Sequence, residues 1–74
     1  MSEIKNCLGK RIADLRRDRG FSQETLAEKT GYSTEFISLV ERGINAPSVE
    51  GLDRIASALE VEIKELFNFN RQAK

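Results

Sequence analysis

Three short polar side chains, Thr34, Glu35 and Ser38, stand among the apolar residues Ile37 and Val40. At helical spacing the three share one flank, and the two apolar residues fall away from it. Hydroxyls and a carboxylate of that size can exchange hydrogen bonds with an outside surface without steric conflict, and such a flank can enter a nucleic-acid groove. Bond-making chemistry has no comparable support. The 74 residues contain no histidine and one cysteine, Cys7, so the usual zinc ligand sets are missing. There is no phosphate-binding glycine loop and no nucleophile with a partner base. The residues point to recognition rather than catalysis, with no enzyme activity, metal, cofactor or small-molecule ligand expected.

The elements that must position this flank are punctuated by Gly20, Gly31, Gly43 and Pro47. Ile4, Leu8, Ile12 and Leu15 step by four, four and three, one face of a helix over about residues 4–19, with Gly20 as its left-handed stop. Ser22 is a strong N-cap for a second helix over 23–30, and Phe21 and Leu26 have the spacing of a hydrophobic staple. Gly31 allows a positive φ at the turn that follows. A third helix opens at Ser33 or Thr34 and ends at Arg42, with Phe36, Ile37 and Val40 as its apolar stripe. Ser48 caps a fourth, lined by Leu52, Ile55, Ala56 and Leu59. A last short helix covers 63–67 behind Glu62, a weak cap whose charge suits a helix N-terminus. Residues 68–74 are expected as a frayed tail. Period-two strand patterns are absent, so the chain is expected as one all-α domain over 1–74.

A chain this short buries a modest core and often leans on a disulfide, a metal or a partner subunit. One cysteine excludes an internal disulfide, which leaves an oligomer. Cys7 is either half-buried filler or a reactive thiol, and an unpaired thiol fits a reducing compartment. No apolar run approaches the ~20 residues of a membrane span, and the N-terminus lacks a signal-peptide core. A cytoplasmic, nucleoid-associated location is expected. The formal net charge is zero, from twelve basic and twelve acidic side chains. It is unevenly spread: residues 1–23 hold six basic against three acidic groups, leaving +3 there and −3 in the remainder. One end is therefore suited to face phosphate, or is an ordinary solvated helix face.

The segment 23–42 meets the demands of a helix-turn-helix, with small Ala27 where the helices approach and Leu26, Ile37 and Val40 facing inward. From Ile12 to Phe67 the chain resembles the phage-repressor and Cro-like helix-turn-helix regulators, also called the XRE family. The residues that carry the likeness are Arg16, Gly20-Phe21-Ser22-Gln23, Leu26-Ala27, Gly31, the run Ile37 to Gly43, Pro47-Ser48, Leu52, Ile55-Ala56, Leu59 and Leu66-Phe67. The resemblance implies a compact five-helix, lambda-repressor-like DNA-binding domain. The short chain, with no sensor or cleavage domain, resembles free-standing regulators such as Cro-like repressors and restriction–modification controller proteins.

That resemblance implies roles for individual residues. Gln23, opening the second helix, contacts a DNA phosphate. Base contacts come from Ser33, Thr34, Glu35, Ser38 and Leu39. Serine and threonine can read several base edges, and a carboxylate can accept from the cytosine N4 amine. Many relatives carry Gln or Arg at such positions, so Glu35 is a departure: it either selects cytosine or weakens binding beside phosphate. Tyr32 either donates its hydroxyl to a phosphate or, like Phe36, marks the edge of the core. Arg42, Ile44 and Asn45 fall where the family's loop approaches the DNA backbone. Lys10, Arg11 and Arg17 add long-range attraction or are simply solvated. Arg16 and Glu41 match a family ion pair between the first helix and the end of the third.

Ile63, Leu66, Phe67 and Phe69 supply more apolar surface than one small core obviously needs. They are expected to form a homodimer interface, the alternative being that they cover the base of the same core. A twofold dimer would read a palindromic double-stranded operator with two recognition helices one DNA turn apart. The rival reading is a protein-interaction module, an antitoxin or adaptor, on the same scaffold. Zero net charge and Glu35 favour that rival, whereas Gln23 and the polar third helix favour DNA.

Overall fold

Three serines set the starts of the three inner helices. Ser22, Ser33 and Ser48 adopt extended backbone angles, and each Oγ accepts a backbone N–H three residues on, from Thr25, Phe36 and Gly51, at 3.0 Å. Each bond satisfies a donor that the helix start leaves orphaned. The computed structural model describes residues 3–69. Most of the tail expected over 68–74 lies outside the described residues. Four α-helices run in order: α1 (Glu3–Asp18), α2 (Gln23–Thr30), α3 (Thr34–Glu41) and α4 (Val49–Leu59).

The expected fifth helix is a 3-10 helix, Ile63–Phe67. Glu65 N–H donates to Glu62 O at 2.9 Å and Asn68 N–H to Glu65 O at 3.3 Å, the three-residue closure of that tighter form. Five residues are too few for a stable α-helix, and Glu62 provides no side-chain cap. The architecture remains all-helical, with no strand among the described residues.

The core is built where helix faces meet. Ile12 from α1, Leu26 from α2, Ile37 and Val40 from α3, Ile55 and Leu59 from α4, and Leu66 from the 3-10 helix are fully enclosed. α2 packs against α3 and α4, while α1 packs against α3 and the 3-10 helix. Two apolar residues depart from the sequence reading. Ile4 is 57% exposed, because the face of α1 that meets other elements begins one turn later, at Leu8. Leu66, expected in a dimer interface, has no exposed surface and belongs to the core of its own protomer.

Polar contacts tie α1 to the end of α4 and to the 3-10 helix. Arg11 donates from Nε to the Glu65 backbone oxygen at 2.7 Å and from Nη2 to its carboxylate at 3.2 Å. Its side chain is 13% exposed, so Arg11 is a tie between α1 and the 3-10 helix rather than a solvated charge. Arg19 donates to both the carboxylate and the backbone oxygen of Glu60. Glu60 ends α4 with φ at 62°, the left-handed region uncommon outside glycine. At Gly9, α1 comes so close to α3 that an added Cβ would collide with the backbone oxygens of Val40 and Glu41.

Candidate nucleic-acid interface

The third helix divides its residues as its spacing requires. Ile37 and Val40 are buried, Thr34 and Glu35 are exposed, and Ser38 and Leu39 are half-buried. Arg42, exposed, closes the helix, and its backbone N–H returns to Ser38 O at 3.0 Å. Thr34, Glu35, Ser38 and Arg42 therefore form an outward polar flank about two turns long. Ser33 sits at its head. Its Oγ accepts the Phe36 N–H, which leaves the hydroxyl hydrogen and one lone pair for an outside partner. Leu39 lies at the edge of the flank, and its backbone oxygen accepts from Ile44 at 2.9 Å and from Asn45 at 3.3 Å. That folds the loop carrying Asn45 back against the end of α3.

Gln23 is the first residue of α2 and is half-buried. Its Nε2 donates to Glu41 Oε1 at 3.0 Å. The same carboxylate accepts from Arg16 Nε at 2.6 Å and Nη2 at 3.1 Å. Arg16 Nη1 donates in turn to the Phe21 backbone oxygen at 2.8 Å. The Arg16 and Glu41 side chains are 10% and 6% exposed. A two-pronged, nearly buried ion pair thus joins α1, the turn before α2, and the last residue of α3. It also holds the Gln23 carboxamide, which keeps a second amide hydrogen for an outside partner.

Tyr32 lies in the turn between α2 and α3. Gly31 before it has φ at 83° and returns its N–H to Ala27 O at 2.9 Å. The Tyr32 ring is half-buried, 4.5 Å from the Phe36 ring and beneath the Arg54 guanidinium at 5.1 Å. Its hydroxyl occupies the space that a Cβ at Gly51 would need. Tyr32 therefore wedges the turn against the start of α4, and Phe36 packs on the core beside it. Arg54 completes this joint by donating to the Thr30 backbone oxygen at 3.0 Å. Sequence reasoning missed Arg54 and Gly51, because nothing in their local pattern reveals which turn they meet.

At the far end of the chain, Ile63 and Phe67 are 38% and 40% exposed. Phe69 is half-buried with its ring 6.2 Å from that of Phe67. Ile63 and Phe67 are thus the outward apolar residues of the 3-10 helix, whereas Phe69 also packs against the core.

The pattern of the helix-turn-helix family HTH_3 matches residues 12–66. The chain belongs to this helix-turn-helix family. Among its HTH_3 relatives is the HTH-type transcriptional regulator SinR of Bacillus licheniformis, 34% identical over 62 residues, covering 82% of this chain and 56% of that protein. The chain thus spans about half the length of that regulator. In structure, the domain is similar to the restriction–modification controller protein C.AhdI from Aeromonas hydrophila, with a TM-score of 0.83 and 38% identity, covering 85% of this chain and 96% of that one. It is also similar to SinR, the master regulator for biofilm formation, solved in complex with DNA: TM-score 0.77, 32% identity, 82% of this chain and 98% of that one. No helix among the described residues is long and apolar enough to cross a membrane.

Proposed function

We propose that this HTH_3 domain is a sequence-specific transcriptional regulator that binds double-stranded DNA by laying residues 33–42 in the major groove. The observation that carries the reading is the division of α3: Ile37 and Val40 are sealed in the core while Thr34, Glu35, Ser38 and Arg42 stay outside it. The major groove admits a helix, and its base edges offer distinct donor and acceptor patterns to short polar side chains. Ser33 and Leu39 flank that readout. Gln23 and Asn45 bracket the helix at positions suited to the sugar–phosphate backbone. The Arg16–Glu41 pair sets the angle of α3 and orients Gln23, so it acts structurally. The domain works by binding rather than catalysis, in the cytoplasm at the nucleoid.

Dimerisation through Ile63, Phe67 and Phe69 would pair two such helices. A twofold pair reads half-sites about 34 Å apart, one turn of the duplex, and so selects a palindrome. Occupancy would then follow protein concentration, with no small-molecule effector. Selection of bound duplexes from a random pool tests binding, symmetry and spacing together. The expected product is an inverted repeat with one-turn half-site spacing. A pool with no enriched sequence would remove the regulator reading, and a single asymmetric half-site would remove the dimer.

A further inference from the structure

Beside Gln23, between α1 and the C-terminal half of α3, lies a cleft of about 420 Å3. Lys10, Asp14 and Arg17 line it from α1, Gln23 from α2, and Ser38 and Arg42 from α3. Glu41 also reaches this cleft, but its charge is matched by Arg16. Around it, the three cations Lys10, Arg17 and Arg42 face one further carboxylate, Asp14, in a chain whose formal net charge is zero. Asp14 holds Arg17 only loosely, at 3.4 Å, with the two side chains 50% and 65% exposed. An exposed pair of this kind is worth little and exchanges partners at small cost.

We infer that this cleft seats one phosphodiester of the DNA backbone, held by Lys10 and Arg17 of α1 together with Gln23. The inference rests on the DNA-binding reading above and extends the contact surface beyond the helix-turn-helix onto α1. Ser38 and Arg42 belong both to the cleft wall and to the flank of α3 that would enter the groove. A helix placed there brings the adjoining sugar–phosphate strand to the cleft mouth. A phosphodiester is an anion that only accepts hydrogen bonds, and Lys10, Arg17, Arg42 and the second amide hydrogen of Gln23 are all donors. Arg17 leaves Asp14 for the phosphate, so Asp14 competes with the DNA for the same guanidinium.

The test is a salt series of binding by the full chain to a duplex enriched from random sequence, comparing wild type with Lys10→Gln, Arg17→Gln, Asp14→Asn and Lys29→Gln. Lys29 is an exposed cation on α2 outside this cleft. Each phosphate contact contributes roughly one unit to the slope of log affinity against log salt. Lys10→Gln and Arg17→Gln should each reduce the slope by about one per protomer, with the selected sequence unchanged. Asp14→Asn should bind several-fold more tightly than wild type, a gain that a folding defect would not produce. Steep wild-type salt dependence with full slopes in both cleft variants would overturn the cleft while leaving the DNA reading intact. Equal losses with Lys29→Gln would reduce the effect to overall charge and overturn the cleft as well. Wild type that fails to bind duplex at low salt would overturn both readings.

Discussion

Gln23 Nε2 and Glu41 Oε1 stand 3.0 Å apart, and the Glu41 carboxylate that accepts this bond also takes two from Arg16. The first residue of α2 is therefore bonded directly to the last residue of α3, whose side chain is 6% exposed.

Removing either side of the ion pair strands a charge. Arg16→Met and Glu41→Leu should each cost about 3–5 kcal/mol in urea denaturation. The double variant should recover much of that loss, because two apolar chains replace two desolvated ions. Additive losses in the double variant would mean that the two residues do not act as a pair.

Gln23→Ala tests the proposed phosphate contact, which would carry no sequence information. Affinity should fall alike on the selected operator and on mixed duplex, because phosphate contacts position the protein and base contacts specify the site. A loss confined to one operator position, measured by titrating single-base variants, would contradict this role.

The outward flank of α3 makes the opposite prediction. Thr34→Ala, Glu35→Gln and Ser38→Ala should each shift the selected motif, by ~1–3 kcal/mol at the base concerned where the contact is a good one. Glu35→Gln should relax selection at a cytosine. Tighter binding to every sequence with an unchanged motif would instead make Glu35 a carboxylate that only repels phosphate.

Exposed and buried apolar residues separate cleanly at the 3-10 helix, with Phe67 40% exposed and Leu66 fully enclosed. Phe67→Glu should raise the dimer dissociation constant in sedimentation across a dilution series, with little change in the unfolding midpoint of the monomer. Leu66→Ala should cost ~2–5 kcal/mol of stability, as cavities in well-packed cores do. Equal sedimentation of wild type and Phe67→Glu at every dilution would exclude Phe67 from the contact.

What was legible in the sequence is what local chemistry decides. Ser22 and Ser48 announce their helices because a cap acts within three residues of itself. The left-handed stop at Gly31 and the inward stripe of α3 are equally local. What could not be read depends on which elements meet. Ile4 has the spacing of a core residue, but no element packs over it closely enough to bury it. Arg11 looks like any solvated cation until the 3-10 helix brings Glu65 to it. Tyr32 borders α3 in sequence, yet its hydroxyl is directed at the start of α4, where Gly51 leaves room. For the interface, the division of α3 into buried and outward residues was legible. The hold of Glu41 on Gln23 was not, since eighteen positions separate them.

The near-collision of α1 with the carbonyls of Val40 and Glu41 at Gly9 places the framing of α3 at its tail, whereas the residues facing outward begin at its head. The close approach and the exposed side chains thus lie at different ends of the same eight-residue element. Under the proposed reading, side chains at 34, 35 and 38 could be exchanged to re-address the domain to a new operator without loosening the mount that aims it.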